Sequence, residues 1–151
     1  MTTDTRDTDA PPLAEALLLC CKDYRMVGPI ARYMKARGLE GNYNQIGLAG
    51  ASLGIVRPDR THWARMFWEH VEFSLQLHRI RRVIVIDHRD CGAYRLMLGV
   101  DLKDDPPRET EVHGEHLRQL GRQIRARHPH LRVELLLMAL DGSVEEVPLA
   151  A

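Results

Sequence analysis

The sequence predicts an α/β fold: a mainly parallel four-stranded sheet with helices on both faces and a short antiparallel strand at one edge. Three observations indicate this fold. Short apolar runs alternate along the chain with amphipathic segments of helical period. Residues 83–86 are four consecutive β-branched apolar residues, which is typical of a strand buried on both faces. Near the C-terminus, Asp141-Gly142 is a hairpin signal, so we expect the last strand to return antiparallel.

Each predicted element rests on a local pattern of apolar spacing and on the residues that end it. We predict strands at residues 13–20, 45–49, 83–88, 133–140 and 143–147. The predicted helices are residues 29–37, a long helix capped by Asp59 or Thr61 that reaches residue 78, a short helix at 92–98, and residues 108–127. The two prolines before residue 108 are interpreted as a stop that closes a polar loop.

Length and composition narrow the class of protein. The chain has 151 residues, 44% of them apolar, which suits one domain, expected at residues 13–151 behind a flexible arm at 1–12. The 21 basic and 21 acidic residues balance, which argues against a nucleic-acid or anionic-lipid partner. The sequence contains neither a spanning apolar run nor a signal-peptide layout, and its three cysteines do not form a disulfide framework, so we expect a cytoplasmic protein.

Thiol and imidazole groups follow two of the predicted strands. Cys21 lies at the end of the first strand, and His88 and Cys91 lie at the end of the third. In a parallel sheet, ligands bind beyond the carboxyl ends of the strands, where the strand order reverses. If the first and third strands are neighbours, their ends lie about 5 Å apart. Two thiolates and one imidazole are a donor set that Zn²⁺ accepts, so the sequence predicts a zinc site here.

A carboxylate and a guanidinium follow Cys21 at short spacing. Three protein ligands leave a fourth zinc position for water, whose pKa the metal lowers toward 7. Asp23 is within reach of the metal or its water, and Arg25 is placed to hold that carboxylate by a two-pronged hydrogen bond. We expect the pair to orient the resulting hydroxide. Alternatively, Asp23 takes the fourth position and switches the site off.

These segments resemble the motifs of a known family. Residues 21–25, Cys-Lys-Asp-Tyr-Arg, are similar to the Cys-x-Asp-Ser-Arg motif of the β-class carbonic anhydrases. Residues 88–93, His-Arg-Asp-Cys-Gly-Ala, resemble that family's His-x-x-Cys-Gly-Ala, and residues 48–51 resemble its Asn-Ala-Gly segment. The resemblance spans about residues 14–147. It implies the family fold and a zinc lyase, a carbonate dehydratase that reversibly hydrates carbon dioxide to bicarbonate with zinc-bound hydroxide.

The resemblance also assigns roles to individual residues. It implies Cys21, His88 and Cys91 as zinc ligands and an Asp23–Arg25 catalytic dyad. A further set, predicted to wall the substrate site, comprises Ala49, Gly50 and Gly92. Family members are homodimers or multiples of dimers with the pocket at the subunit interface, and the same is expected of this chain.

The sequence departs from the family motifs at the expected pocket wall. Tyr24 replaces the motif serine, Asp87 replaces the glycine before the histidine, and residues 47–48 replace Arg-Asn. Two alternatives therefore stand beside carbon dioxide hydration. One is hydrolysis of a carbon dioxide analogue, carbonyl sulfide or carbon disulfide. The other is a catalytically silent zinc-binding homologue in which Asp23 fills the fourth position.

Several polar residues near the motifs receive a structural interpretation. Strand alternation turns Cys20 away from Cys21, so Cys20 is interpreted as a small buried hydrophobic residue. Asp87 is expected to point away from His88 and to serve a structural role, and Asp90 to cap the helix that begins near Cys91. His113 and His116 are interpreted as solvated residues on a helix face.

Overall fold

The structure is a computed structural model that describes residue 11 and residues 13–150. The predicted flexible arm at 1–12 lies outside the described residues, apart from residue 11. Residue 151, the end of the predicted domain, lies outside them as well.

Within residues 13–150, five strands form one sheet in the order β2-β1-β3-β4-β5. Strands β1 to β4 are parallel to one another, and β5 is antiparallel to β4, as predicted. The strands are β1 Ala16–Cys20, β2 Tyr43–Gly47, β3 Arg82–His88, β4 Arg132–Met138 and β5 Val144–Glu146. The helices are α1 Val27–Ala36, α2 Ser52–Val56, α3 Thr61–His78, α4 Gly92–Leu98 and α5 Pro106–Arg127, with a 3₁₀ turn at Tyr24–Met26.

The two central strands are buried on both faces because helices cover both sides of the sheet. Alternate residues of β1 and β3 pack against α1 on one face and against α2, α3 and α5 on the other. Every residue of β1 is buried. Burial of each large apolar side chain contributes about 1.5–3 kcal/mol, so this double-sided packing is the main source of stability in the centre of the sheet.

The strand order reverses beside β1. From β1 the chain crosses to β2 on one side, and it then returns to β3 on the other side of β1. Because crossovers between parallel strands are right-handed, connections that move in opposite directions place their helices on opposite faces. A crevice therefore opens at the carboxyl ends of β1 and β3, which is where the sequence predicts the metal ligands.

The beginning of α5 differs from the prediction. The two prolines expected to close a loop instead begin the helix, and the Asp105 carboxylate caps it by accepting a hydrogen bond from the Arg108 N–H at 3.2 Å. Proline suits the first turn because the N–H that it lacks would have no partner within the helix. The prediction that Pro-Pro is a stop was therefore wrong.

Other boundaries also differ. The sequence did not predict α2, a single short helix in the small-residue segment. Neither Asp59 nor Thr61 caps α3, whose first turn follows Arg60, because Asp59 pairs with the Arg57 guanidinium at 2.7 Å instead. The strand predicted at 13–20 begins at Ala16, the one predicted at 45–49 lies two residues earlier, and β4 ends at Met138. Within residues 13–150, none of the helices is both long and apolar enough to cross a membrane.

The close approach of α2 to the preceding segment requires a glycine at position 54. A Cβ there would lie 2.6 Å from the Ala49 carbonyl oxygen and 2.5 Å from Leu48 Cδ1. We expect Gly54→Ala to lower the free energy of unfolding by about 1–2 kcal/mol, because the steric cost exceeds what alanine gains in a helix. The matched control is Gly47→Ala, where a Cβ would have no atom within 4 Å. Urea denaturation that finds the two variants equally stable would contradict this packing.

Candidate metal centre

Cys21, His88 and Cys91 come together at the carboxyl ends of β1 and β3. Their potential ligand atoms all lie within 4.8 Å of one another, and all three residues are buried. Cys20 at the end of β1 pairs with Ile86 of β3, so the chain leaves both strands at the same edge of the sheet. Cys91 follows three residues after His88 and precedes the first turn of α4. The two Sγ atoms are 4.0 Å apart.

The His88 imidazole is oriented to present a lone pair to the two sulfurs. Its Nδ1 lies 2.7 Å from the Arg89 carbonyl oxygen, which only accepts hydrogen bonds, so Nδ1 carries the ring proton. The other ring nitrogen, Nε2, is buried and has no hydrogen-bond partner among the residues that the structure describes. A buried nitrogen with a free lone pair is costly unless it binds something.

The thiols are coupled by their closeness. The pKa of Cys21 is lowered to about 4 because Cys91 donates a hydrogen bond to the Cys21 thiolate. The same contact, together with burial, raises the pKa of Cys91, since a second negative charge would lie beside the first. A bound cation removes this repulsion and allows both sulfurs to be thiolates.

These residues fit zinc. Two sulfurs that each lie about 2.3 Å from a tetrahedral zinc ion are about 3.8 Å apart, close to the distance between the two Sγ atoms here. The free lone pair of His88 Nε2 supplies the nitrogen ligand. Two soft thiolates with an imidazole favour zinc over magnesium or calcium, which bind oxygen ligands.

Asp23 and Arg25 form the expected two-pronged pair at the edge of the centre. Arg25 donates from Nη2 to Asp23 Oδ2 at 2.8 Å and from Nε to Oδ1 at 3.2 Å. Hydrogen bonding from Arg25 holds the pKa of the Asp23 carboxyl below its usual range, so it is ionised at neutral pH. Asp23 Oδ2 lies 3.7 Å from His88 Nε2, but Asp23 is not part of the group whose atoms converge.

Arg25 also binds the segment that carries Cys91. It donates from Nη1 to Asp90 Oδ2 at 3.0 Å and from Nη2 to the Asp90 carbonyl oxygen at 2.9 Å. The prediction that Asp90 caps α4 was wrong, because Cys91 occupies the N-cap position and the Asp90 carboxylate turns to Arg25. One guanidinium thus joins the two sequence motifs.

An open cavity of about 460 Å³ leads to the centre. Ala49 and Gly92, two of the three predicted wall residues, line it. The third, Gly50, does not. The substrate role of Gly50 therefore stays a prediction. Tyr24 and Leu96 lie at the rim and are 85% and 86% exposed.

A buried polar cluster behind the centre was not predicted. The Asp87 carboxylate accepts hydrogen bonds from Tyr94 Oη at 2.6 Å, Ser52 Oγ at 2.8 Å and His113 Nδ1 at 2.8 Å. This confirms the structural role predicted for Asp87. His113, by contrast, is 1% exposed, so its interpretation as a solvated residue was wrong.

The apolar face of α5 contained the signal for this cluster. The buried residues of α5 include Glu109, His113, Leu117, Leu120 and Ile124, which are spaced three or four apart and share one helix face.

Cys20 is buried, as predicted. It is 2% exposed, and its Sγ accepts a hydrogen bond from Gln45 Nε2 at 3.3 Å, away from the centre.

Comparison with known proteins identifies the family to which the sequence is similar. The sequence matches the family described as "Putative carbonic anhydrase" over residues 14–148. An uncharacterised protein of Rickettsia bellii is 36% identical over 134 residues, which cover 89% of this chain and 82% of that protein. A second, from Rickettsia conorii, is 34% identical and covers 89% of this chain and 72% of its own length.

Solved structures share the fold at low identity. The β-carbonic anhydrase CafA of Aspergillus fumigatus has a TM-score of 0.59 at 16% identity, with 93% of this chain and 78% of that chain covered. One of two tetrameric β-carbonic anhydrases from Sordaria macrospora has a TM-score of 0.58 at 13% identity, covering 93% and 84%. A carbon disulfide hydrolase has a TM-score of 0.50 at 16% identity, covering 94% and 82%.

The Asp87 cluster yields a stability prediction. His113→Ala removes one of the donors to a buried carboxylate, so we expect the free energy of unfolding to fall by about 2–4 kcal/mol. The control is His116→Ala on the same helix, where the ring contacts the Val112 carbonyl oxygen of its own turn at 2.9 Å and little should be lost. Chemical denaturation measures both. Equal, small losses would mean that His113 does not support Asp87.

Proposed function

The chain belongs to the family described as "Putative carbonic anhydrase". From this membership we propose that the protein is a zinc-dependent carbonate dehydratase. The reaction is the reversible hydration of carbon dioxide to bicarbonate. The observation that carries the proposal is the convergence of two sulfurs and an unpaired imidazole nitrogen beside a carboxylate held by an arginine.

In this proposal Cys21, His88 and Cys91 hold the zinc ion. When bound there, zinc would supply the Lewis acidity that lowers the pKa of water toward neutrality. The hydrogen bond from His88 Nδ1 to the Arg89 carbonyl fixes the ring and leaves Nε2 to act as the nitrogen ligand. Burial of the three ligands excludes competing bulk water from them.

Asp23 orients the reacting water and Arg25 orients Asp23. The ionised Asp23 carboxylate, whose Oδ2 lies 3.7 Å from His88 Nε2, would accept a hydrogen bond from that water. Because Arg25 binds both carboxylate oxygens, Asp23 is kept ionised and turned toward the guanidinium. This arrangement favours the orienting role over permanent occupation of the fourth metal position.

The cavity leaves room for a small substrate to reach the centre. Ala49 and Gly92 present little side-chain volume at its wall, so carbon dioxide can approach the centre closely. Carbonyl sulfide and carbon disulfide are the alternative substrates. Two observations support these alternatives: the fold that the chain shares with a carbon disulfide hydrolase, and Tyr24 in place of the motif serine at the cavity.

We also propose that the protein acts in the cytoplasm as a homodimer or a multiple of dimers. The exposed apolar side chains of Tyr24 and Leu96 flank the mouth of the cavity, and a second copy would cover them. The three cysteines are free, which suits a reducing compartment.

The catalytic assignment is tested with Asp23→Asn. We expect wild-type protein to hold one zinc per chain and to hydrate carbon dioxide in a stopped-flow assay at pH 7–9. Asp23→Asn should keep the zinc but lower kcat by about 10²-fold or more, because an amide orients the water poorly. The matched control is Asp59→Asn, which breaks a similar Arg–Asp pair that does not line the cavity.

Three results would contradict parts of this proposal. If zinc-loaded wild-type protein is inactive on carbon dioxide but releases hydrogen sulfide from carbonyl sulfide or carbon disulfide, the substrate is the sulfur compound. Inactivity on all three substrates would indicate the catalytically silent homologue. An Asp23→Asn variant as active as Asp59→Asn would remove Asp23 from the mechanism.

A further inference from the structure

We propose that Glu109, a buried glutamate of α5, is a positioning residue that holds the turn between His88 and Cys91 in the shape the metal centre needs. This inference rests on the proposed zinc site. It identifies a residue outside both sequence motifs that supports the site. Glu109 is 2% exposed and belongs to an otherwise largely apolar helix face.

The carboxylate of Glu109 binds the turn at two points. Its Oε2 accepts a hydrogen bond from the Asp90 backbone N–H at 2.9 Å, and its Oε1 accepts one from Arg89 Nη1 at 3.0 Å. Arg89 has other partners, since its Nη2 donates to Thr110 Oγ1 at 2.7 Å and to Glu145 Oε2 at 3.0 Å. The contribution specific to Glu109 is therefore its contact with the Asp90 N–H.

Asp90 needs this support because its backbone is left-handed, with φ of 53°. That conformation is unfavourable for a residue with a Cβ and persists where surrounding contacts enforce it. The Glu109 carboxylate on α5 accepts a hydrogen bond from the Asp90 N–H, and Arg25, which lines the cavity, donates one to the Asp90 carbonyl oxygen at 2.9 Å. The peptide groups on both sides of Asp90 are thereby fixed.

The orientation of Cys91 follows directly from this turn. Asp90 is the residue before Cys91, so its left-handed backbone determines where the chain enters α4 and where the Cys91 sulfur points. The same contacts extend to Asp23, because Arg25 binds Asp90 and Asp23 together. Loss of Glu109 should therefore loosen a metal ligand and the carboxylate beside it.

The test is Glu109→Gln in the full-length protein, with zinc affinity measured by competition against a chromophoric chelator. Glutamine keeps the size but has one carbonyl oxygen for two donors. We expect zinc to bind about 10–100-fold more weakly and the absorption bands of the cobalt-substituted protein to change. The control is Glu134→Gln, which removes a carboxylate paired with Arg37 and Arg82 near the opposite end of the sheet, and it should leave both readouts unchanged.

A second background separates positioning from general loss of stability. Glycine adopts a left-handed backbone at little cost, so a turn with Asp90→Gly needs less support from Glu109. We expect Glu109→Gln to weaken zinc binding less than about 3-fold when it is added to Asp90→Gly. Urea denaturation of the metal-free proteins shows whether each variant is folded. If Glu109→Gln alone does not fold, a loss of zinc affinity greater than about 3-fold from Asp90→Gly to the double variant overturns the inference.

The outcomes are distinguishable. Wild-type protein that binds zinc while Glu109→Gln binds it as tightly, with an unchanged cobalt spectrum, overturns this inference and leaves the proposed function standing. An equal loss of affinity in both backgrounds also overturns it. Wild-type protein that binds no zinc overturns the proposed function and the inference with it.

Discussion

The candidate centre depends above all on the parallel pairing of β1 with β3. Hydrogen bonds between these strands set Cys20 opposite Ile86, and the chain leaves both strands at one edge of the sheet. Cys21 and Cys91, 70 residues apart in sequence, are thereby brought to 4.0 Å between their sulfurs. The doubly buried apolar strands hold this pairing rigidly, so the ligands are positioned by the most stable part of the fold.

Buried polar contacts then fix the segments that leave the strands. The Asp87 carboxylate joins β3 to α2, α4 and α5 through Ser52, Tyr94 and His113. Glu109, one helical turn before His113, binds the turn that follows. Burying ionised carboxylates is costly unless donors compensate them. Each of these carboxylates is compensated by groups from elements next to the centre, which ties its ligand-bearing segments together.

The strands and the long helices could be predicted because each depends on local patterns, whereas the convergence of the ligands was predicted from the parallel topology and from the resemblance to the family motifs. Apolar runs marked β1 and β3, and polar residues directly after them marked the strand ends. The partners of Asp90, Glu109 and His113 could not be predicted, because they depend on where α5 packs against the turn after β3. A histidine or glutamate on an apolar helix face signals burial, but the sequence does not name the group that it will bind. The short α2 depends on close packing rather than on its own sequence pattern.

The proposed function requires two sulfurs and one imidazole to bind a single zinc ion. X-ray absorption spectroscopy at the zinc edge of the zinc-loaded protein measures these ligands. We expect two sulfur scatterers at about 2.3 Å and light atoms at about 2.0–2.1 Å, one of them with the outer-shell pattern of imidazole. A spectrum without sulfur, or one with three sulfurs and hence a place for Cys20, would contradict it.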